Sequence, residues 1–357
     1  MKLYLVGGFL GSGKTTAIVT ASKILLQKKI PVAIITNDQG SQLVDTAFTN
    51  SLNIPSGEVG NGCFCCNYEQ FHSTIRDLNS SIHPDVIFAE AVGSCADLVA
   101  TIIKPLLILD NGTEIVFSVF ADAMVLLSSL EGRSSFISDG IQYIFKKQLE
   151  EASILIVNKS DTLTKGGIEK IESILESQYP GKELLFQDSR NKTSVQRWLD
   201  ILNKKNFDKT FPPLDIDYKK YAEGEAALAW LDASVAIHAK GKAINKSVML
   251  INDMFDAITF QQLPIGHLKF FLQSGDWQQK ISYTTGKHIN EQNRNNKMGG
   301  DHANLLVNAR VETDPDQLKK IFFQAIKKTE DQNCHIEVLN LASFQPGYPK
   351  PTHRFSE

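Results

Sequence analysis

Short apolar runs alternate with amphipathic stretches along the first half of the chain, and this alternation predicts a layered α/β domain. The stretches TAIVTASKILLQKK and EQFHSTIRDLNSS have helical periodicity. The apolar runs between such stretches are typical of buried strands: KLYLV, PVAIITN, DVIFAE, EIVFSVFAD, SILIVNKSD and ELLFQDS. We therefore expect a mainly parallel, doubly wound sheet over residues 1–205, with ligands bound at the carboxyl ends of its strands.

The pattern changes after residue 205. The segment 206–226 includes the Pro- and charge-rich stretch FPPLDIDYKKYAEGEA, which predicts a linker. Residues 227–345 predict a smaller α+β domain of ferredoxin-like β-α-β-β-α-β order, followed by a tail over 346–357. Its predicted strands are LAWLDASVAIHA, WQQKISYT, NLLVNARVE and CHIEVLNLASF, and its predicted helices SVMLINDMFDAI, IGHLKFFLQS and PDQLKKIFFQAIKKT. The stretch GKHINEQNRNNKMGGDHA predicts a mobile hairpin loop between the middle strands.

A glycine-rich turn follows the first strand and opens the first helix. Its sequence GGFLGSGKTT fits the phosphate-loop pattern G-x-x-x-x-G-K-[ST]. In such a loop the glycines let backbone N–H groups surround the phosphates, and the helix N-terminus adds positive potential. We expect Lys14 to reach the β- and γ-phosphates and Thr15 to bind Mg²⁺. The candidate nucleotide-binding residues of this loop are Gly8, Gly11, Ser12, Gly13, Lys14, Thr15 and Thr16.

The strand SILIV ends in an N-K-x-D motif, Asn158-Lys159-Ser160-Asp161. The Asp161 carboxylate can accept from guanine N1–H and the exocyclic 2-amino group, whereas adenine would leave it unpaired. We expect Asn158 to contact the purine edge and the stem of Lys159 to cover the base. The motif alone is also compatible with a surface turn; its position after a strand and behind a phosphate loop favours guanine.

Carboxylates follow other strand ends. Glu90 begins Glu90-Ala91-Val92-Gly93, a pattern that places an acid near Mg²⁺ and Gly93 near the γ-phosphate. Asp38, in TNDQG, is a candidate for Mg²⁺, for the attacking water or for a second metal. Each acid is also compatible with a helix N-cap or a solvated turn. Lys14, Asp38 and Glu90 are the catalytic candidates, and Asp122 is a weaker supporting candidate.

Three of the five cysteines lie within four residues, at Cys63, Cys65 and Cys66. The surrounding Gly and Asn residues predict a loop, which disfavours the alternative of buried small hydrophobes. We find no signal-peptide pattern and no apolar run of membrane-spanning length, so we expect a cytoplasmic protein. In a reducing compartment, clustered cysteines indicate metal or redox chemistry. The formal charge of −3 argues against nucleic acid or an anionic membrane as a partner.

These motifs and their order resemble the CobW-like (cobalamin-synthesis-W) family of P-loop GTPases and metallochaperones, over Met1 to about Ser189. The resemblance implies GTP hydrolysis to GDP, Mg²⁺ at Thr15 and Glu90, and a transition metal, zinc or cobalt, at Cys63, Cys65 and Cys66. Two segments depart from the family pattern. Asn37-Asp38-Gln39-Gly40 replaces Asn-Glu-Phe-Gly, and Glu90-Ala91-Val92-Gly93 replaces a hydroxyl-rich E-T-T-G type segment.

Three thiolates leave one position of a tetrahedral metal site open. Asp38, Cys95, His72, water or a partner's ligand are the candidates for that position. Because the cysteine loop lies between Asp38 and Glu90 in sequence, we expect GTP to order it and hydrolysis to release the metal to a client metalloprotein. Slow intrinsic turnover, raised by homodimerisation or by the client, is expected.

Two alternatives remain open from the sequence. One is a GTP-dependent remodelling factor of a corrinoid-dependent or other metalloenzyme, with a permanent structural zinc, and the other is a P-loop kinase. In the second domain, His267, His288 and His302 are expected to be ordinary surface or core residues, because none has a second ligand at helical spacing.

Overall fold

A computed structural model describes residues 1–40, 44–109, 113–133, 136–208, 210–284 and 300–355. Within these ranges, seven parallel strands form one sheet in the order β3-β2-β4-β1-β5-β6-β7. They are β1 (Lys2–Gly8), β2 (Val32–Asn37), β3 (Ser56–Val59), β4 (Val86–Glu90), β5 (Glu114–Asp122), β6 (Ile154–Asn158) and β7 (Glu183–Gln187). The α/β sheet predicted for the first half is confirmed, with β3 as an additional edge strand.

Helices cover both faces of this sheet, and alternate residues of its central strand β1 therefore belong to two different apolar cores. On β1, Leu3 and Leu5 belong to one apolar cluster, whereas Tyr4 and Val6 belong to the other. The helices are α1 (Lys14–Gln27), α2 (Val44–Ser51), α3 (Tyr68–Ile82), α4 (Lys104–Leu109), α5 (Ala123–Leu130), α6 (Asp139–Glu151), α7 (Lys165–Gln178) and α8 (Lys192–Lys204). A π-helical turn (Val99–Ile103) precedes α4, and a 3₁₀ turn (Ser160–Thr162) follows β6.

A separate antiparallel sheet forms the second domain. Five strands of the described chain make it, in the order β10-β9-β11-β8-β12. They are β8 (Leu228–His238), β9 (Ile265–Ser274), β10 (Trp277–Tyr283), β11 (His302–Glu312) and β12 (His335–Phe344). Helices α10 (Ala243–Phe260) and α11 (Pro315–Thr329) pack on one face of the sheet. The other face is turned toward the first domain.

The prediction of a helix over residues 265–274 is wrong, since this segment is strand β9. Leu268, Phe270 and Leu272 of β9 join the core beneath the helices, whereas His267 and Lys269 point to the opposite face. Both faces are covered, so the alternation of polar and apolar residues that marks a half-exposed strand is weak here.

With β9 as a strand, β8, β9, β11 and β12 together with α10 and α11 give the predicted β-α-β-β-α-β order. Strand β10 is an addition at the edge. Strands β10 and β11 both pair with β9 and not with each other, so the connection between them is not a hairpin. Most of the predicted loop, including His288, lies outside the described residues.

The predicted linker contains a helix, α9 (Tyr218–Ala226), which begins at an Asp217 side-chain cap. The Asp217 cap is followed by apolar residues at helical spacing, Tyr218, Tyr221 and Ala222, and these form a short helix that packs against α6. The prolines of the segment precede this helix. The domain bounds at 205 and 227 stay predictions. Across the described residues, we find no helix with the length and apolar character needed to cross a bilayer.

The buried carboxyl group of Glu151, at the end of α6, makes stability depend on pH. Burial, with a smaller effect of Asp97, raises the pKa of Glu151 well above its usual value. Above the unfolded-state pKa, the unfolded chain binds fewer protons than the folded one, so stability falls as pH rises, by about 1.4 kcal/mol per pH unit while only the folded state stays protonated.

We expect Glu151→Gln to remove this loss, so that the variant melts at a higher temperature than the wild type at pH 8 and at a similar temperature at pH 4.5. Thermal denaturation at several pH values measures the effect. Glu150→Gln, at the exposed neighbouring position, is the matched control and should leave the pH profile unchanged. Parallel profiles of wild type and Glu151→Gln would contradict the prediction.

Candidate nucleotide and metal sites

The loop between β1 and α1 has the backbone of a phosphate-binding turn. Gly8, Gly11 and Gly13 all have positive φ, and a Cβ at Gly13 would collide with the Asn158 side chain. The Lys14 ammonium group lies over the loop and donates to the carbonyl of Gly8 at 2.7 Å. Burial lowers the pKa of Lys14 to about 8, against the attraction of Glu90. A bound polyphosphate would favour its charged form.

Thr15 and Glu90 meet at the position expected for Mg²⁺. The Thr15 hydroxyl donates to Glu90 Oε1 at 3.0 Å. Glu90 is buried, and its Oε2 has no hydrogen-bond partner among the described residues. Burial raises the pKa of Glu90, as does the nearby Asp45 carboxylate. A buried carboxylate oxygen beside a hydroxyl suits a hard cation, so these residues fit Mg²⁺, which would there neutralise phosphate charge.

The N-K-x-D segment is connected to the phosphate loop. Asn158 donates to the carbonyl of Ser12 at 2.7 Å, and its oxygen accepts from the backbone and hydroxyl of Ser189. In this arrangement Asn158 holds two loops together, and its contact with the purine edge stays a prediction. Lys159 pairs with Asp122 at 2.6 Å. Asp161 is exposed and faces Arg190 at 3.2 Å.

The second domain forms a wall of the same cavity, which sequence analysis missed. The cavity is lined by the phosphate loop, by Asp38, Asp45 and the segment 90–93, and also by Trp230, His267, Lys269, Lys280, Ser282 and Thr284. A Cβ at Gly11 would lie 2.5 Å from Thr284 Cγ2, so the tip of the phosphate loop touches the second sheet. Gly93 packs equally closely on Leu10 of the loop. His267 is buried and lines this cavity, and its interpretation as an ordinary core residue stays a prediction. His302 is exposed and hydrogen-bonds to His238.

Asp38 is held by the second domain. Its carboxylate accepts from Arg310 at 2.7 Å, and Arg310 also binds Asp232 at 2.7 Å. The Arg310 guanidinium lies 3.9 Å from the centre of the Trp230 ring. A Cβ at Gly40 would overlap the Asp232 carboxylate, which explains why glycine ends the TNDQG segment.

Asn37, next to Asp38, holds the cysteine loop. Its amide donates to the carbonyls of Val59 and Gly62, both at 2.8 Å, and its oxygen accepts from the backbone N–H of Phe64 at 2.9 Å. Asn37 and Asp38 both line the nucleotide cavity. Because Asn37 also bonds to the cysteine loop, this segment is a direct physical connection between the two sites.

The three sulfurs of Cys63, Cys65 and Cys66 lie within 4.8 Å of one another. Thiolates on one zinc ion are separated by about 3.8 Å, so small shifts would bring these sulfurs onto a shared metal. Hydrogen bonds from Cys65, Cys66 and Cys95 lower the pKa of Cys63 well below its usual value. One sulfur of the cluster is thus poised as a thiolate, the form that binds metal.

The structure shows where the side-chain candidates for a fourth metal ligand lie. Among the described residues, the ligand group contains the three cysteines and neither Asp38, His72 nor Cys95. Asp38 is bound to Arg310 instead. Cys95 is the candidate whose buried thiol, after those of Cys65 and Cys66, lowers the pKa of Cys63.

The end of the chain covers the cysteine loop. Thr352 donates to the carbonyl of Cys65 at 2.8 Å and to that of Cys66 at 3.1 Å. The His353 ring packs on Tyr68 at 4.8 Å, and Arg354 pairs with Asp97 at 2.8 Å. As a result Cys63 and Cys65 are only 5 % and 3 % exposed. The sequence suggested only an unassigned tail for this segment.

Helix α9 joins the two loops at the edge of the cavity. The Glu225 carboxyl accepts from Ser94 at 2.6 Å and from Gln39 at 3.2 Å. Burial raises the pKa of Glu225 to about 8. The linker helix therefore contacts both segments that flank the cysteine loop in sequence.

Comparison with known proteins agrees with this geometry. The model of the CobW/HypB/UreG nucleotide-binding domain matches residues 2–186. The zinc chaperone YeiR of Escherichia coli (strain K12) is 31 % identical over 165 residues, which are 45 % of this chain and 47 % of YeiR. The match thus spans about half the length of this curated relative.

Two solved HypB structures are similar to part of this chain. HypB from Helicobacter pylori, in complex with nickel, is 13 % identical and has a TM-score of 0.44, with coverage of 57 % of this chain and 86 % of that one. HypB from Archaeoglobus fulgidus is 16 % identical with a TM-score of 0.40, covering 57 % and 89 %. Likeness of this degree carries no functional argument. The family model covers more than half of the chain, and the protein therefore belongs to the CobW/HypB/UreG family through its nucleotide-binding domain.

Proposed function

We propose that the protein is a GTP-binding and GTP-hydrolysing metallochaperone, which carries zinc or cobalt at Cys63, Cys65 and Cys66 and delivers it to a client metalloprotein. The observation that carries this proposal is the segment Asn37-Asp38. Asn37 makes two hydrogen bonds to the cysteine loop, at Gly62 and Phe64, and a third to the end of β3. Asp38 lines the nucleotide cavity. A change at the phosphates can therefore move the thiolates through one pair of residues.

The nucleotide chemistry rests on the cavity. Lys14 and the backbone of the phosphate loop would hold the phosphates, Thr15 and Glu90 would hold Mg²⁺, and Asp161 would select guanine. Membership of a nucleotide-binding family and the Glu90 oxygen that lacks a partner support this assignment. We expect slow hydrolysis, because Asp38, a candidate for orienting the attacking water, is paired with Arg310.

Zinc or cobalt is the cargo of the proposed carrier. A set of three thiolates suits borderline and soft metals, and the zinc chaperone YeiR is a relative over half its length. We propose Cys95 as the fourth ligand, because its buried thiol influences the pKa of Cys63. Homodimerisation and the identity of the client stay predictions.

A competition titration tests the proposal. Zn²⁺ and Co²⁺ are titrated against a chromophoric chelator in the reduced full-length protein, once with Mg²⁺ and GDP and once with Mg²⁺ and a non-hydrolysable GTP analogue. We expect the metal affinity to change by about tenfold or more between the two nucleotides, and the nucleotide affinity to change by the same factor when metal is added. Equal metal affinities in both states would overturn the gated carrier.

The burial of Cys63 and Cys65 beneath the C-terminal segment favours a second candidate, a GTP-dependent remodelling factor with a permanent structural zinc. In that case zinc would resist chelators equally in the GDP and analogue states. Under the carrier proposal, the covering segment must move and one nucleotide state must yield its metal faster. Chelator-exchange rates measured in both states separate the two candidates.

A further inference from the structure

The face of the second sheet that meets the phosphate loop is polar along two rows of paired residues. In the first row, Lys269 of β9 lies opposite Ser282 on β10 and Asn308 on β11. In the second row, His267 lies opposite Arg310. Paired residues of adjacent strands point to the same face, so these side chains form one surface. This surface is turned away from the apolar core of its own domain.

Two lysines of this surface converge on one carboxylate. Lys269 and Lys280 lie 2.5 and 2.6 Å from the two oxygens of Asp45, on α2 of the first domain. The side chains are 16 % and 13 % exposed, and both line the cavity that contains Lys14, Thr15 and Glu90. Burial opposes the charge of Lys269, yet the carboxylates of Asp45 and Glu90 raise its pKa. Lys269 is thus a cation beside the phosphate loop, and Lys280 shares its carboxylate partner.

His267 supplies an independent indication of a ligand. The side chain is 97 % buried and lines the same cavity, and neither of its ring nitrogens has a hydrogen-bond partner among the described residues. Burial, with the neighbouring cations Lys269 and Arg310, keeps its pKa well below the usual value, so the ring is neutral. Buried polar groups are normally satisfied, and a neutral imidazole can donate to a phosphate oxygen.

We infer that His267, Lys269 and Lys280 of the second domain bind the phosphate end of the nucleotide held by the phosphate loop, in competition with Asp45 for the two ammonium groups. The inference rests on the proposed nucleotide-binding function and adds the second domain to that site. Phosphate oxygens attract ammonium groups more strongly than a single carboxylate does, because they carry more charge.

This competition couples the nucleotide to domain contacts. When the lysines turn to phosphate, Asp45 loses its two partners at the start of α2. The neighbouring Val44 is held by Asn308 of the same polar surface, at 2.8 Å. The nucleotide thereby bridges the two domains. The phosphates that are bound determine whether the two lysines hold Asp45, and so whether α2 stays attached to the second domain. Helix α2 leads to β3 and the cysteine loop.

Equilibrium titration of the full chain with Mg²⁺ and a non-hydrolysable GTP analogue, and separately with GDP, tests the inference. We expect Lys269→Gln/Lys280→Gln to weaken analogue binding by about tenfold or more, and Asp45→Asn to tighten it several-fold because the competing anion is removed. Lys328→Gln is the matched control, since its exposed pair with Asp253 lies on the helical face of the domain. Analogue affinity of the double variant equal to that of the wild type would overturn the inference.

The outcomes separate this inference from the proposed function. If Lys14→Ala loses nucleotide binding and the double variant binds like the wild type, the nucleotide site is supported. That result would overturn only the role of the second domain. A wild-type chain that binds neither nucleotide would overturn both. Equal weakening for GDP and the analogue supports contact with the β-phosphate, and a larger loss for the analogue supports contact with the γ-phosphate.

The double variant leaves the Asp45 carboxylate without partners, which can destabilise the fold. The triple variant Lys269→Gln/Lys280→Gln/Asp45→Asn removes all three charges and keeps the hydrogen-bonding groups. If the double variant fails to fold, the triple variant replaces it in the titration. Weakened analogue binding in a triple variant that melts like the wild type supports the inference, and unchanged binding overturns it.

Discussion

The triple variant Cys63→Ser/Cys65→Ser/Cys66→Ser is expected to lose Zn²⁺ and Co²⁺ affinity by about a thousandfold or more, which corresponds to about 4 kcal/mol. Serine hydroxyls stay protonated near neutral pH and are poor ligands for these metals, whereas thiolates account for much of the binding free energy at such sites. Because the three sulfurs form the one ligand group found among the described residues, we expect little residual tight binding. Competition with a chromophoric chelator measures the change.

Cys334→Ser is the matched control for this variant. Cys334 is also a buried cysteine, but it lies in the second domain next to Asp331 and outside the ligand group. Its replacement should leave metal affinity unchanged. Since Cys63 and Cys65 pack in an apolar cluster, thermal denaturation must show that the triple variant is folded. If it is not, the half-buried Cys66 is replaced alone. If a folded variant keeps the metal affinity of the wild type, the cysteines are not the metal ligands.

The parts of this protein that could be predicted are those marked by a pattern within one short segment of the sequence. The phosphate loop, its flanking strand and its helix follow from glycine spacing and from apolar periodicity over about 25 residues. The N-K-x-D motif and the cysteine cluster were located in the same way, since each lies in one short segment. Parallel strand order then brings Lys14, Glu90 and Asn158 to one edge of the sheet, because strand ends of parallel sheets coincide.

The second wall of the cavity could not be predicted in this way. Lys269 and Arg310 are more than 200 residues from Asp45 and Asp38, and no periodicity in sequence links partners so far apart. The reading of 265–274 as a helix also placed His267 and Lys269 on different faces. In a strand they share one face, so the alternation H-x-K within IGHLKFF was the available signal. The covering of the cysteines by Thr352 depends equally on tertiary contacts.

The Asp38–Arg310–Asp232 triad shows why one distant residue matters for both domains. Arg310 is fully buried and Asp232 is 1 % exposed, so neither charge is solvated by water. Removal of the arginine would leave a carboxylate pair from two domains without a cation. Burial already raises the pKa of Asp232, despite the opposing charge of Arg310. The triad therefore stabilises the domain contact only while all three charges are present.

We expect Arg310→Met to lower the free energy of unfolding by about 3–5 kcal/mol, the usual effect of breaking a buried ion pair from one side. Urea denaturation of the full chain measures this loss. Arg133→Met is the matched control. Arg133 is 72 % exposed in its pair with Glu131, so this substitution should cost less than about 1 kcal/mol.

The double variant Arg310→Met/Asp232→Asn removes the buried carboxylate as well and should recover part of the stability. A cost for Arg310→Met no larger than that of the control would contradict the prediction. Recovery in the double variant would show that the lost stability came from the uncompensated Asp232 charge and not from lost packing of Arg310 on Trp230.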